Sequence, residues 1–412
     1  DGSRKNLRTR VFAAGCSADG RLGRASCDGF EEIEGFDGKT VLRVACGTAH
    51  SLALTENGDL YTWGRNDVGQ LGLGTSGLLC SAWSPELVKA FSPGHRTKVI
   101  SAQGNVSAVV SKDRQLYTWG AAEHGQLGHG EAISHNSPHM VASLSNRVQT
   151  VAVGAAHCVA IGVGGQAFSW GVTRRGQLGI GISGVRSAPV AWPTQMHAPT
   201  FQQGREEEDV AWKFAATGDD VTLLVSGSGR VYACGSDKFG QLGIDWHLKQ
   251  DDLFRTIPEE LRLPRRVRIS GVACGARHCL AMSASGEVFA WGSGQYHALG
   301  LGLTTVVFEP TVVSGLRGDH HRVVSVDAGS NRSLAVIQRD QGDGIATKEL
   351  FVWGQNTFGE AGFTTDGPIE SPTMCPLDFS FEGETVLSAA AGDLHTIIVT
   401  AWSPQFNSQE RL

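Results

Sequence analysis

The stretch Leu60-Tyr-Thr-Trp-Gly-Arg-Asn-Asp-Val-Gly-Gln-Leu-Gly-Leu-Gly74 decides the fold, because degenerate copies of it recur along the chain. Four of the seven copies keep a glycine, four variable residues and then Gly-Gln-Leu-Gly, and in three of these a tryptophan precedes the first glycine. The other six copies begin at Val11, Leu116, Ala167, Val231, Val288 and Leu350. Self-similarity at a regular spacing indicates a repeat architecture.

One copy explains why these residue types recur. Leu60–Trp63 is a short run of apolar, aromatic and β-branched residues, which favours a strand buried on at least one face. Gly69 and Gly72 bracket Gln70 and Leu71 in a tight loop, where glycine allows positive φ and leucine can enter a core. We interpret this loop as structural, since a chemical site rarely needs seven near-equivalent copies.

A second motif precedes nearly every copy. It consists of a small residue, a glycine, two variable residues and then a histidine or a substitute, followed by an apolar run. The glycines are Gly47, Gly104, Gly154, Gly218, Gly275, Gly329 and Gly392, and the histidines are His50, His157, His278 and His395, with Ser107, Val221 and Arg332 in the other three copies. Equivalent residues one repeat apart cannot converge on one substrate, so we expect the histidines to bond a neighbouring turn.

These two motifs resemble the repeats of the regulator of chromosome condensation family. The resemblance covers residues 11–400 and implies an all-β fold, a seven-bladed β-propeller. Propellers of this family serve as nucleotide exchange factors, assembly factors, photoreceptors and binding modules, so the resemblance implies the fold more firmly than the function.

The two ends of the chain complete each other. Val11–Gly23 is the second half of a repeat without a first half, and residues 386–400 are a first half without a second. We therefore expect strands from both ends to share one sheet and close the ring. This predicts one propeller domain over residues 11–400, a flexible basic arm over residues 1–10 and a tail over residues 401–412.

Composition limits the functional classes. The 412 residues carry a formal net charge of −6, which provides no general attraction to nucleic acid. The nine cysteines contain no Cys-x-x-Cys pair, which favours an intracellular, reducing compartment, although cytoplasm, nucleus and mitochondrion are not distinguished. No apolar run approaches the roughly 18 residues of a membrane span.

No catalytic, metal or cofactor motif stands out. Asp319-His320-His321 lacks further ligands at a recognisable spacing, and Cys274 and Cys279 flank a histidine that other repeats have without cysteines. The glycine-rich turns belong to the repeats rather than to a phosphate-binding loop. We expect no enzyme chemistry and no cofactor.

Two irregular segments interrupt the repeats. The spacing from Gly171 to Gly235, 64 residues, exceeds that of the copies before it. We expect residues 182–209 to leave the ring as a loop, and residues 244–268 to form a second loop with helical turns at 245–249 and 257–261. Because aromatic and arginine side chains dominate interface energies, we predict a binding site around blades four and five that uses Trp192, Phe201, Trp246, Arg265 and Arg266. The arginines would reach an acidic protein surface or RNA phosphates.

The resemblance also implies an alternative. In the family's exchange factor, the face that docks the small GTPase Ran includes an aspartate just before the histidine position, and Asp220 matches it here. The chain has no counterpart of that factor's protruding wedge, nor of the Gly-Trp-Arg-His-Thr run of the photoreceptor branch. Two hypotheses follow: a non-catalytic scaffold or assembly factor for a protein or ribonucleoprotein, and a guanine nucleotide exchange factor for a small GTPase. The oligomeric state is not predicted.

Overall fold

Twenty-eight strands form seven four-stranded antiparallel sheets in the described part of the chain, which is a computed structural model. The structure describes residues 7–25, 29–77, 79–91, 97–184, 188–199, 210–244, 253–264, 267–318, 321–340, 346–365, 367–381 and 383–403. The seven sheets confirm the predicted seven-bladed propeller.

Strands run outward in each blade from the centre of the ring. The chain opens with β1 (Arg8–Gly15) and β2 (Glu31–Glu32), and blade two follows with β3 (Val41–Cys46), β4 (His50–Thr55), β5 (Leu60–Gly64) and β6 (Ala82–Leu87). Blade three has β7 (Thr97–Gln103), β8 (Val106–Ser111), β9 (Leu116–Gly120) and β10 (His135–Met140). Blade four has β11 (Val148–Val153), β12 (His157–Gly162), β13 (Ala167–Gly171) and β14 (Val190–Gln195).

The remaining blades repeat this order. Blade five has β15 (Trp212–Thr217), β16 (Val221–Ser226), β17 (Val231–Ser236) and β18 (Phe254–Glu260), and blade six has β19 (Ile269–Cys274), β20 (His278–Ser283), β21 (Val288–Gly292) and β22 (Val307–Val312). Blade seven has β23 (His321–Ala328), β24 (Arg332–Asp340), β25 (Ala346–Gly354) and β26 (Ile369–Met374), and β27 (Thr385–Ala391) and β28 (His395–Trp402) complete blade one. The described helices are short 3-10 turns: Ala18–Gly20, Lys89–Phe91, Ala142–Leu144, Gln295–His297 and Ser314–Leu316.

The two irregular segments correct the sequence analysis. Residues 182–209 are not one loop, because they contain β14, the outer strand of blade four. The predicted helical turn at 257–261 is wrong, since Ile257–Glu260 belongs to strand β18. Strand pairing with the neighbouring repeat strand outweighs local helix propensity there. The other predicted turn, 245–249, lies outside the described residues.

Blade one confirms that the two ends close the ring. Its strand order is β2-β1-β28-β27, and β1 pairs with β28 from Arg8 opposite Trp402 to Gly15 opposite His395. The predicted boundaries shift outward, because β1 begins at Arg8, inside the predicted basic arm, and β28 runs to Trp402. Pairing with β28 orders these residues despite their polar sequence.

A buried carboxylate fastens this closure. Glu384 accepts hydrogen bonds from Nε and Nη2 of Arg10 at 2.8 to 3.1 Å, and from the hydroxyl of Thr400. It also accepts the backbone N–H groups of Ser380 and Phe381. Bidentate Arg–carboxylate pairing adds directional strength to the strand pairing, so one side chain joins β1, β28 and the loop before β27.

Proline protects the outer edges of the sheets. The outer strands of blades two to seven each contain one proline at a register shift: Pro85, Pro138, Pro193, Pro258, Pro310 and Pro372. Proline cannot donate a ladder hydrogen bond, and a bulge bends the edge, so both discourage pairing with another chain. In blade one the outer strand β2 is only two residues long.

Tryptophans join neighbouring blades. All five repeat tryptophans are fully buried, and each indole N–H donates at 2.8 to 3.0 Å to a loop carbonyl of the preceding blade: Trp63 to Arg21, Trp119 to Gln70, Trp170 to Gln126, Trp291 to Gln241 and Trp353 to Ala298. The five tryptophans are therefore wedged between neighbouring blades. Cys234 occupies the equivalent position in blade five, with its thiol 3.7 Å from the carbonyl oxygen of Gln177.

Trp119→Ala should lower the free energy of unfolding by about 3 to 5 kcal/mol, since it removes a large buried ring and a hydrogen bond between blades. The matched control is Trp192→Ala, because Trp192 is 55% exposed on the outer strand of blade four. We expect the control to cost about 1 kcal/mol or less. Urea unfolding measures both, and equal losses would contradict the wedge role.

Histidines form the second link between blades. The hydroxyl of Thr222 donates to the carbonyl of Gln177 at 2.8 Å, so it accepts the Nε2–H of His157 at 2.9 Å. The same arrangement joins His50 to Ser107, His278 to Ser333 and His395 to Ser51 across the next blade boundaries. This confirms the structural role of the four histidines.

The residue at the histidine position and its partner in the next blade change together. Where valine replaces histidine, at Val106 and Val221, the next blade has Cys158 and Cys279 in place of serine or threonine. Val106 pairs with Gly120 as His50 pairs with Gly64, so Val106, not Ser107, occupies the histidine position of blade three. The turn there is one residue shorter, which spacing alone could not show.

Blade seven has a charged version of the same link. Arg332 replaces the histidine, and Glu360 replaces the loop glutamine; both side chains are fully buried, with Nη1 and Oε1 3.8 Å apart. Nη2 of Arg332 also donates to the carbonyls of Gly392 and His395. The two exchanges compensate each other, because either charge alone would be buried without a counterion.

Burial keeps the linking histidines neutral. It lowers the pKa of His50 to about 3 and those of His157 and His278 to about 4. In the unfolded chain a histidine pKa is about 6.5. Because the folded pKa values are depressed, unfolding takes up protons and stability is lost as the pH falls from 6.5 towards 4.

The double variant His157→Val/Thr222→Cys copies the Val106–Cys158 pair and should fold. It should lose less stability than the two single variants together, since Thr222→Cys leaves the buried Nε2–H of His157 unpaired, at a cost of about 1 to 3 kcal/mol, and His157→Val removes the donor to the Thr222 hydroxyl. It should also reduce the acid sensitivity by up to about 1.4 kcal/mol per pH unit between pH 6.5 and 4. Urea unfolding at pH 7.5 and 5 tests this, with the exposed His197→Gln as control. Additive single costs and an unchanged pH dependence would contradict the link.

Candidate functional site

The two faces of the propeller carry different sets of loops. The upper face carries the turns between first and second strands and the loops between third and fourth strands, since antiparallel strands return to the same side. The lower face carries the hairpins between second and third strands and the connections between blades. Binding residues concentrate on such loops of rigid scaffolds.

A ring of seven turns surrounds the channel mouth on the upper face. A Cβ atom on the glycine of each turn would lie only 2.3 to 2.9 Å from a carbonyl oxygen of the next turn. The second motif therefore needs glycine because the turns approach too closely for a side chain. The channel beneath, lined by the innermost strands, has a cavity volume of about 320 Å³.

Charge is concentrated in three of these turns. Blade five contributes Asp219 and Asp220, blade six contributes Arg277 and blade one contributes Asp393. Ser330 donates to Asp393 at 2.7 Å. The turns of blades two, three and four contain no charged residue between their glycine and the second strand, so the mouth is acidic on one side.

The environment of Asp219 is unfavourable for a carboxylate. Its pKa is raised to about 6, mainly by burial and then by the negative charges of Asp393 and Asp220, while Arg277 opposes the shift. A partner that supplied a cation here would relieve this repulsion. Asp220 accepts a hydrogen bond from Nε2 of Gln177 in blade four at 3.3 Å.

One further carboxylate lines the channel. Asp327 occupies the position two residues before the glycine, where the other six blades have Ala45, Ala102, Ala152, Ala216, Ala273 and Ala390. Its carboxylate accepts the N–H of Ala391 at 2.8 Å. Burial raises its pKa to about 6. Alignment of the seven repeats is enough to show that Asp327 is the exception at this position.

An aromatic and cationic patch lies beside the acidic turn. The guanidinium of Arg277 lies 4.5 Å from the ring centre of Phe239, and the Nζ of Lys238 lies 5.4 Å from the same centre. Val306 and the 55% exposed Leu253 extend the apolar surface near this loop. We call Lys238, Phe239, Leu253, Arg277 and Val306 the blade-five patch.

The predicted binding residues do not form one cluster in the described structure. Asp220 lies at the channel mouth, whereas Trp192 lies on the outer strand of blade four, where its indole covers Gly130 of blade three. Phe201, Trp246, Arg265 and Arg266 lie outside the described residues, so their part in binding stays a prediction.

Connectivity separates the predicted segments. Ile244 and Leu253, the described residues flanking 245–252, belong to an upper-face connection. The described ends of the other two segments connect blades and therefore lie on the lower side: residues 196–199, 210–211, 261–264 and 267–268. A partner on one face would meet only one of these groups.

The described residues contain no group of three histidine, cysteine, aspartate or glutamate side chains arranged to hold a metal ion. All eight cysteines in the described ranges are free thiols. No helix among the described residues is long and apolar enough to cross a membrane.

Comparison with known proteins shows which family has these repeats. A family model described as RCC1-like domain matches residues 9–401. The ultraviolet-B receptor UVR8 of Arabidopsis thaliana is 31% identical over 332 residues, covering 78% of this chain and 71% of the receptor. The mouse regulator of chromosome condensation is 27% identical over 349 residues, covering 80% and 78%. The mouse E3 ubiquitin-protein ligase HERC2 is 28% identical over 97% of this chain, which spans only 8% of HERC2.

Solved structures agree in fold. Human WBSCR16 superposes with a TM-score of 0.77 at 23% identity, covering 95% of this chain and 98% of that one. Yeast RCC1 (Prp20), bound to Kap60, gives a TM-score of 0.80 at 22% identity, covering 97% and 90%. The repeats, the closed ring of seven blades and the match over residues 9–401 together show that the chain belongs to the RCC1-like domain family.

Proposed function

We propose that this chain is a non-catalytic interaction module whose protein partner docks on the upper face over blades five and six. The observation that carries this is the blade-five patch beside the acidic channel mouth. It combines an exposed apolar surface with a stacked arginine, the residue types enriched in interface centres.

The charges of this surface specify the partner. Arg277 and Lys238 flank Phe239 on one side, while Asp219 and Asp220 lie on the other. A complementary protein surface has an acidic group facing the arginine and a basic group facing the aspartates. The proposed contact also includes four residues that lie outside the described part of the chain: Phe201, Trp246, Arg265 and Arg266. Trp192 would border the upper surface at the rim.

Nucleotide exchange on a small GTPase is the second candidate. Asp220 lies in the turn just before the histidine position, held by Gln177 from the neighbouring blade. A solved structure of yeast Prp20p is described together with its binding properties to Gsp1p and histones. The scaffold remains the first candidate, because the chain has no counterpart of the family factor's wedge.

The test of docking compares two charge-reversal variants. Lys238→Glu/Arg277→Glu alters the blade-five patch, and Lys112→Glu/Arg147→Glu alters exposed lower-face residues as the matched control. Affinity capture is carried out after nuclease treatment, and each captured protein is quantified. The amount of captured partner should fall at least tenfold with the first variant and stay unchanged with the second. Thermal melts check that both variants fold.

Two outcomes would contradict the docking proposal. Retention of every specific partner by the upper-face variant would place the binding surface elsewhere. Loss of all partners on nuclease treatment would make RNA the ligand.

Nucleotide release from a panel of small GTPases separates the two candidates. For a scaffold we expect release rates unchanged by the added chain. An acceleration of tenfold or more that Asp220→Asn abolishes, and that the exposed lower-face Asp113→Asn leaves intact, would establish the exchange factor instead.

A further inference from the structure

The outer edge of blade three departs from its sister blades. Two positions there, just after the Gly-Gln-Leu-Gly loop and at the start of the outer strand, are apolar in blades two, four, six and seven: Leu73 and Ala82, Ile180 and Val190, Leu301 and Val307, Phe363 and Ile369. In blade three they are His129 and His135. The sister blades show that the fold does not require polar groups at this edge.

The two histidines pack with a third. The ring centres of His135 and His139 are 4.1 Å apart, and His129 lies 5.2 Å from His135 and 6.0 Å from His139. Oε1 of Glu131 is 3.5 Å from Nε2 of His135. We call these three rings the edge histidines.

Hydrogen bonds fix the protons on two of these rings. The hydroxyl of Thr118 donates to the carbonyl of Leu127, so it accepts the Nε2–H of His129 at 3.0 Å. Nδ1 of His139 donates to the carbonyl of Ser137 at 3.2 Å. The buried Nε2 of His135 lies at the limit of hydrogen-bond distance from Oε1 of Glu131. The arrangement therefore suits a cluster that carries at most one added proton.

Few charges compensate protonation. The pKa of His129 is lowered to about 4, mainly by burial and to a smaller extent by His135 and His139, while Thr118 and Glu131 oppose the shift. The pKa of His135 is also lowered, first by burial and then by His139, while Glu131 opposes this shift. Glu131 is thus the one carboxylate acting on these two rings in the described structure, and it can balance one proton but not two.

We propose that the edge histidines make the outer strand of blade three proton-responsive: acidification separates β10 from β9 and exposes the sheet edge. The separated strand regains ordinary histidines that titrate near 6.5, so opening takes up protons as the pH falls below that value. The edge becomes available for pairing only in acid.

Hydrogen exchange of the full chain tests this. After correction for intrinsic exchange, protection of the β10 amides should fall about fivefold between pH 6.5 and 5.5 for each proton taken up, because a histidine with an open-state pKa near 6.5 is already half protonated at the start of that range. The internal control is β22, the outer strand of blade six, whose corresponding residues are apolar, and its protection should change less than threefold. The variant His129→Leu/His135→Val copies blade six. In this variant the loss of protection in β10 should be no larger than that in β22.

A fall of equal size in β22, or an unchanged fall in the variant, would overturn the proposal. If the variant does not fold, side-chain NMR titration of the wild-type histidines decides. The proposal requires at least one edge ring to titrate below pH 5, while all three titrating near pH 6.5 would overturn it.

Discussion

The structure depends on one shared acceptor, the backbone carbonyl at the glutamine position of the Gly-Gln-Leu-Gly loop. In blade two the carbonyl of Gln70 receives both the indole N–H of Trp119 and the hydroxyl of Ser107 from blade three. A buried carbonyl has two lone pairs to satisfy, and the next blade supplies both donors. Each loop is thereby held in place by its neighbour, which explains why loop and strand motifs recur together.

The same linkage explains what could be predicted from sequence. The tryptophans, the loop glycines and the two incomplete terminal repeats follow from one local pattern, so the seven blades and their closure were predictable. The hydroxyl partners of the histidines were not, because His50 and Ser107 are 57 residues apart and meet only across a blade boundary. Outer strands such as β14 were hidden for a different reason: a proline recurs in them, but the length of chain between it and the preceding Gly-Gln-Leu-Gly loop varies from blade to blade.

The candidate site was harder to predict than the fold. The sequence pointed to Asp220 through its place in a motif, and the structure adds Asp219 from the same turn, Phe239 from a loop of the same blade and Arg277 from blade six. The approach of Arg277 to these residues arises from the ring, since residues distant in sequence share the channel mouth. The long spacing between two repeats predicted a loop over residues 182–209, but this segment contains β14, the outer strand of blade four. Comparison of equivalent positions was more informative, as Asp327 and the edge histidines show.

The pairing of Arg10 with Glu384 spans 374 residues, and this has a consequence for biosynthesis. At about 5 to 20 residues per second, a ribosome needs roughly 20 to 75 seconds to make the intervening chain. Blades two to seven are complete before β28 is available, so β1 waits with an unpaired hydrogen-bonding edge. A nascent-chain chaperone would find its most persistent target at this strand, and truncated translation products would all share the same open edge.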